Sequence, residues 1–389
     1  MDNWAAANHG LTACGLEQAF ITLSKVTGDR VYLEFCADTK MGRRKSGYAT
    51  LREWQRPVKG HVYRYLARCL AQQNLYRDQP QDSLLSQSRR AVEYMTSSDG
   101  LVITGTCSHQ EQWHDDQNGS GHLGESCVTA YLIRFLDSLI RIEGDLRYGD
   151  IMERAVFNAL FGAQSTDGRR LRYFTPFEGR RTYFDEERSM VQLHSYDTYC
   201  CPSNFRRIMA ELPAKIYYRM ADGLAINLYT SSKAVIDLGG GISLAVEQKT
   251  DYPNSGDVDI YLTPSEPTTF PLRLRIPRWC FQGQVTVNGE PEEGPIVGGR
   301  PHEIKRRWEA GDRVSLHMPM PWRLVQGRKR QAGRVAVMRG PLLYCLSSEH
   351  NEGLGTGVDF SQITIDPASL EGPTRDDTVR PGGLKGGVL

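Results

Sequence analysis

Leu23-Ser24-Lys25-Val26-Thr27-Gly28-Asp29-Arg30-Val31-Tyr32 returns later in the chain as Leu139-Ile140-Arg141-Ile142-Glu143-Gly144-Asp145-Leu146-Arg147-Tyr148. In both copies apolar side chains at helical spacing run into a Gly-Asp pair. Glycine supplies the left-handed residue that closes one helix, and aspartate caps the start of the next. Two copies of helix-Gly-Asp-helix predict a repeated helical hairpin. Working outward, Leu11, Cys14, Leu16, Ala19, Phe20 and Leu23 place a first helix at residues 9–26, and further helices are expected at about 57–76 and 82–96. A polar stretch rich in Gly, Ser, His and Asp follows at 97–124. Helices therefore dominate the first half, and a toroid or solenoid of helical hairpins is the architecture they predict.

After about residue 225 the period changes. Ala225-Ile226-Asn227-Leu228-Tyr229, Ile242-Ser243-Leu244-Ala245-Val246, Val258-Asp259-Ile260-Tyr261-Leu262 and Leu272-Arg273-Leu274-Arg275-Ile276-Pro277 are short β-rich runs divided by Pro, Gly, Asn and Asp. That spacing predicts a β-sandwich. Asn288-Gly289 reads as a two-residue hairpin tip. The expected class is α+β multidomain, with a helical domain at 1–222, a β-sandwich at 223–355 and a poorly ordered glycine-rich tail at 356–389.

Composition narrows the function. The 389 residues exceed one ordinary core, and 40% of them are hydrophobic, enough to bury two. Forty-seven basic and 46 acidic side chains leave a net charge of +1, which provides no bulk field for nucleic acid or an anionic membrane. Nine irregularly spaced cysteines argue against a disulfide framework and for a reducing compartment. With no signal-like start and no long apolar run, a soluble, cytoplasmic chain is the expectation.

The chemistry concentrates at Tyr199-Cys200-Cys201-Pro202-Ser203-Asn204. A disulfide between neighbouring cysteines is strained, since their Cα atoms lie only about 3.8 Å apart. A shared metal is the easier explanation, and Gly124-Glu125-Ser126-Cys127 offers the partners if the backbone there is extended or turning. Glu125, Cys127, Cys200 and Cys201 would suit a tetrahedral Zn²⁺. The spacing is not that of a common zinc finger, so four unrelated residues, with the cysteines as small buried hydrophobes, stay open as the alternative. Glu111 lies beside Trp113 in the polar stretch, where a desolvated carboxyl would stay protonated as a general acid requires; a solvated loop glutamate is the alternative, and the commoner one for a residue in such a stretch. His9 and His61 each sit in the first turn of an expected helix, and taken singly such histidines are more often structural.

These motifs resemble the glycoside hydrolase family 127 group of β-L-arabinofuranosidases, whose site combines a Glu-x-Cys element with a Cys-Cys-Pro-x-Asn element. The resemblance runs in order through Thr104-Gly105, Met152-Glu153-Arg154-Ala155, Tyr173-Phe174-Thr175-Pro176, Thr250-Asp251-Tyr252-Pro253, Leu274-Arg275-Ile276-Pro277-Arg278-Trp279, Trp308-Glu309-Ala310-Gly311-Asp312 and Arg339-Gly340-Pro341-Leu342-Leu343-Tyr344. It implies a six-hairpin (α/α)₆ barrel, partial here because the match begins at His9, followed by an antiparallel, jelly-roll-like β-sandwich. It further implies Zn²⁺ on Glu125, Cys127, Cys200 and Cys201, Cys200 as nucleophile, Glu111 as acid/base, and His9, His61 and Tyr173 in the sugar pocket. Where the family commonly shows Gly-Glu, Gln110 precedes Glu111 here. The implied substrate is an arabinofuranoside or related glycan. With part of the barrel absent, exposed apolar faces on the helices at 9–26 and 57–76 are expected to recruit a second copy or a complementing N-terminal half. A zinc-stabilised module without catalysis is the alternative.

Overall fold

The computed structural model describes residues 16–37, 50–165, 167–183, 200–346, 358–375 and 384–388. The chain divides into two compact units. The first comprises the residues up to 165, Arg170–Leu212 and Lys329–Gln331; the second comprises Thr166–Arg169, Pro213–Arg328 and Ala332–Leu389. It is an α+β protein, with a helical domain followed by a strand-rich one.

The described helices of the first unit are α1 (Leu16–Thr27), α2 (Val31–Ala37), α3 (Val62–Asp78), α4 (Ser83–Ser97), α5 (Ser126–Glu143), α6 (Arg147–Arg154) and α7 (Cys200–Glu211). Both Gly-Asp junctions form as their sequence predicts. Gly28 and Gly144 take positive φ of 75° and 67°, and their N–H groups donate to Ser24 O at 2.9 Å and Ile140 O at 2.8 Å. Asp29 Oδ1 then accepts the Val31 N–H, and Asp145 Oδ1 the Arg147 N–H, each at 2.9 Å. Helix α6 runs on through a π-helical turn, Ala155–Leu160, into Phe161–Ala163. Helix α3 starts at Val62 rather than near 57, because Gly60 adopts φ 84° and makes a turn there.

Ile21, Leu33, Cys36, Leu51, Ala71, Leu75 and Leu84 form one hydrophobic cluster that joins the first hairpin to α3 and α4. Each aliphatic side chain buried this way contributes about 1.5–3 kcal/mol. A buried ion pair crosses the same region, Arg68 Nη1 to Glu17 Oε1 at 3.3 Å, with the guanidinium 5.5 Å over the Trp54 ring. The expectation of exposed apolar faces holds for only one of the two helices. Leu16, Leu23 and Val26 of α1 are exposed, as are Val31 and Phe35 of α2. Helix α3 instead buries Val62, Tyr65, Leu66, Leu70 and Leu75, because α5 and α4 pack against it. Among the described residues no helix is long and apolar enough to cross a membrane.

In the second unit a six-stranded sheet buries one apolar face. Its strand Asp257–Pro264 turns Val258, Ile260 and Leu262 inward. Val314 and Leu316 stand opposite Ile260 and Val258 on one neighbour, and Val246 opposite Leu262 on the other. Strict alternation in sequence thus becomes one buried face. Asn288 (φ 54°) and Gly289 (φ 89°) form the predicted two-residue turn, with Val287 paired to Glu290. Two features depart from expectation. Leu224–Ile226 pairs in parallel with Leu272–Leu274, because the three intervening strands belong to the other sheet and make this a crossover connection. The tail also carries a two-stranded antiparallel ladder, Leu370–Arg375 with Leu384–Val388; glycine amides pair as well as any others once a partner strand runs alongside.

Candidate active site

Glu125 and Cys127 are brought together by a turn that becomes a helix. Gly124, at φ 69°, leads into Glu125, whose φ −53° and ψ 131° make it the N-cap of α5. Ser108 braces this point twice, its carbonyl accepting the Gly124 N–H at 2.8 Å and its hydroxyl the Glu125 N–H at 3.2 Å. The segment from Tyr173 to Thr175 runs alongside, through Ser126 N–H to Tyr173 O at 2.9 Å and Thr175 N–H to Leu123 O at 2.7 Å. Cys127 lies in the first turn of α5, where the positive end of the helix favours an anion. Cys200 and Cys201 open the described part of α7, which packs on α5 and is tied to it by a bidentate Arg134–Glu211 pair at 2.8–3.1 Å.

One oxygen of Glu125 and the sulfurs of Cys127, Cys200 and Cys201 all lie within 4.8 Å of one another. Sequence separations of more than 70 residues are thereby closed to metal-ligand range, as the motif predicts. Burial pushes the Glu125 carboxyl well up, with the charges of Glu111 and Cys200 adding to it, and burial likewise pushes the Cys127 and Cys201 thiols up. Hydrogen bonds from Cys127 and then Cys201 hold Cys200 below the usual thiol range. Glu125 Oε2 is buried with no protein hydrogen-bond partner. A buried carboxylate with one oxygen orphaned, on a residue grouped with three sulfurs, is what a divalent cation would satisfy, and such a donor set would suit zinc.

Glu111 projects toward the same place from the other side. It and Gln110 have positive φ, 63° and 49°. This unusual pair is held from both flanks: Gln110 N–H donates to His122 O at 2.8 Å, Val62 N–H to Glu111 O at 2.9 Å, and Trp113 N–H to Gly60 O at 3.1 Å. Its carboxylate meets His61 Nε2 at 3.3 Å and accepts the Tyr173 hydroxyl at 2.5 Å. The Tyr173 hydroxyl also lies 3.5 Å from Glu125 Oε1. The expected protonated Glu111 is corrected here. His61 first, and Tyr173 after it, favour the ionised carboxylate and outweigh desolvation, so the group lies below its ordinary range. Trp113 packs instead between Tyr65 and Tyr94.

Six of the singled-out residues, Glu111, Glu125, Cys127, Cys200, Cys201 and Tyr173, thus converge, and His61 stands at the Glu111 edge as the residue before α3. His9 lies outside the described residues. Two residues given no role by the sequence reading also touch the cluster. Ser108 holds the Glu125 turn, and Asn204 donates its amide to Cys127 Sγ at 3.1 Å. Asn204 stands one helical turn beyond Cys200, a spacing that could have flagged it once α7 was known to begin with the motif.

Residues 5–214 match the family model of the beta-L-arabinofuranosidase GH127 catalytic domain, and residues 223–320 that of the GH127 middle domain. The chain is 30% identical over 243 residues to a non-reducing end beta-L-arabinofuranosidase of Bifidobacterium longum subsp. longum, a match covering 59% of this chain and 36% of that protein. It is similar to the crystal structure of a GH127 beta-L-arabinofuranosidase from Geobacillus stearothermophilus, at 27% identity and TM-score 0.74, covering 86% of this chain and 59% of that one. A second GH127 beta-arabinofuranosidase structure gives 26% identity and TM-score 0.71, with 84% and 55% covered. The chain therefore spans between about a third and three fifths of the length of these relatives. With the catalytic-domain model matched over more than half of its 389 residues, the chain belongs to the GH127 beta-L-arabinofuranosidase family.

Proposed function

We propose that the site is that of a zinc-dependent retaining glycosidase acting on β-L-arabinofuranosides or closely related furanosides. The observation that carries this reading is the convergence of Glu125, Cys127, Cys200 and Cys201 within 4.8 Å, with Glu111 and Tyr173 against one edge. A zinc ion held by those four residues would supply the positive charge that keeps their thiols ionised at neutral pH. Cys200, half-buried where Cys127 and Cys201 are fully buried, is the sulfur that faces an incoming sugar. Its thiolate forms a bond to the anomeric carbon as the bond to the leaving oxygen breaks. Glu111 gives that oxygen its proton, then takes one from the water whose oxygen displaces sulfur. Two inversions leave the configuration retained. His61 and Tyr173 favour the ionised Glu111 that the second step needs; desolvation by a bound sugar favours the proton that the first step needs.

The test is hydrolysis of aryl β-L-arabinofuranosides with good and poor leaving groups. Cys200→Ser should abolish turnover of both. Glu111→Gln should spare substrates with good leaving groups far more than those with sugar leaving groups, because only the latter depend on a proton donor. Equal losses on both would remove Glu111 from the acid role, and full activity in Cys200→Ser would remove the thiolate mechanism. A zinc-loaded protein that turns over none of these substrates would favour the non-catalytic module.

A further inference from the structure

We propose that Asn204 is a positioning residue for the metal cluster, its side-chain amide holding the Cys127 sulfur in place as a ligand. The proposal rests on the reading that the cluster holds a divalent metal. Asn204 is 3% exposed and lies on α7 one turn beyond Cys200, while Cys127 lies in the first turn of α5. Its Nδ2 approaches Cys127 Sγ at 3.1 Å, so the amide bridges the two helices that carry the three sulfurs. The amide's orientation is fixed from its other end, where Oδ1 accepts from Arg207 Nη1 at 3.4 Å. An oxygen facing a guanidinium leaves only the NH₂ group for the sulfur.

A sulfur ligand accepts hydrogen bonds through its lone pairs, so a fixed donor 3.1 Å from Cys127 Sγ sets which way that sulfur faces. It also disperses charge. Three thiolates and a carboxylate carry four negative charges against two positive ones on a divalent ion. An N–H on the fully buried Cys127 sulfur relieves part of that excess without touching Cys200. This is the outer-shell function by which a neighbour orients a ligand and tunes its donation. A plain space-filling role for a buried amide is the competing explanation, and the two differ in how substitutions rank.

The experiment is zinc competition against a chromogenic chelator on the zinc-loaded chain, with cobalt(II) substitution to read the sulfur-to-metal charge-transfer band. Asn204→Leu keeps bulk and loses the donor; Asn204→Asp keeps shape and sets a carboxylate against the sulfur; Asn204→His restores an N–H. Donor function predicts retention in the order wild type, Asn204→His, Asn204→Leu, Asn204→Asp. The loss should be about 10–100-fold in zinc affinity for Asn204→Leu, with a shifted cobalt band. A space-filling role predicts instead that Asn204→Asp retains zinc as wild type does and that the band stays put, and either result overturns the proposal. Circular dichroism of each zinc-loaded variant separates loss of metal from loss of fold. Wild-type protein that takes up no zinc or cobalt would overturn the metal reading itself, a different outcome from unchanged affinities among the variants.

Discussion

Replacing Gly105 by alanine tests whether the turn behind the active site is braced as the structure has it. Gly105 sits at φ 88° in a turn closed by Gly105 N–H to Val102 O and Val102 N–H to Thr106 O, both 2.9 Å. A Cβ there would lie 2.6 Å from Ala155 N, 2.8 Å from Ala155 Cα and 2.8 Å from the Arg154 carbonyl carbon. All three are backbone atoms where α6 passes into its π-helical turn, so no side chain can rotate away. The left-handed conformation costs a residue with a Cβ about 1–2 kcal/mol, and overpacking against a rigid neighbour about 1–3 kcal/mol more. Reduced unfolded-state entropy returns about 0.4–1 kcal/mol. Gly144 is the control: its φ is 67°, and a Cβ there meets nothing within 4 Å. Gly144→Ala should therefore cost about 1 kcal/mol, and Gly105→Ala about 3 kcal/mol. For a unit of this size these convert to falls in Tm of about 2–4 °C and about 6–12 °C. Differential scanning calorimetry of the two variants measures them. The same turn carries Thr106, whose methyl a Cβ on Gly124 would strike at 2.8 Å, so zinc content should fall with Gly105→Ala and not with Gly144→Ala. Equal Tm shifts in the two variants would refute the close approach to α6.

Three further outcomes follow from the site. Gln110→Gly should raise Tm slightly, because a non-glycine residue at φ 49° costs about 1 kcal/mol that glycine does not, partly offset by glycine's greater freedom when unfolded; a clear fall would argue against the left-handed backbone there. Cys127→Ser should reduce both zinc content and thermal stability, since metal binding is coupled to folding, and elemental analysis together with calorimetry reads both. The Glu111 carboxyl lies below its ordinary value of 4.5, so it contributes stability above that pH and loses the contribution as pH falls through its depressed value. The Tm difference between wild type and Glu111→Gln should accordingly shrink on acidification below 4.5; a difference that stays constant would show that His61 and Tyr173 do not favour the anion.

What could be read from the chain was what local chemistry decides. Gly28-Asp29 and Gly144-Asp145 mark helix junctions because a left-handed glycine and an aspartate cap act within four residues. Asn288-Gly289 marks a hairpin for the same reason. Glu125-Ser126-Cys127 and Cys200-Cys201 stood out as candidate ligands, with ordinary buried residues as the alternative, and the fold adds their convergence within 4.8 Å. Three things were set by partners far along the chain. His61 and Tyr173 lie 50 and 62 residues from Glu111, and they reverse the protonation that its neighbour Trp113 suggested. The burial of α3 depends on α4 and α5. The parallel pairing of Leu224–Ile226 with Leu272–Leu274 follows from which sheet the intervening strands join.

The site is assembled against local preference, and that bears on what it is for. Gln110 and Glu111 together hold left-handed backbone that side chains with a Cβ avoid, at a cost of about 1 kcal/mol each. The carboxylate this strain delivers comes within 4.8 Å of Glu125, a second carboxylate, where like charges repel. What holds it is the Val62 N–H donating to Glu111 O, the Gln110 N–H donating to His122 O, His61 against the Glu111 carboxylate, and the Tyr173 hydroxyl, which donates to Glu111 with Glu125 on its other side. A fold selected for stability alone would relax the loop by placing glycine at 110 and part the carboxylates. Under the proposed function keeping both is intelligible: Glu111 would reach the substrate side of a cation held by Glu125, Cys127, Cys200 and Cys201, whose positive charge would offset the repulsion between a ligand carboxylate and a neighbouring proton donor.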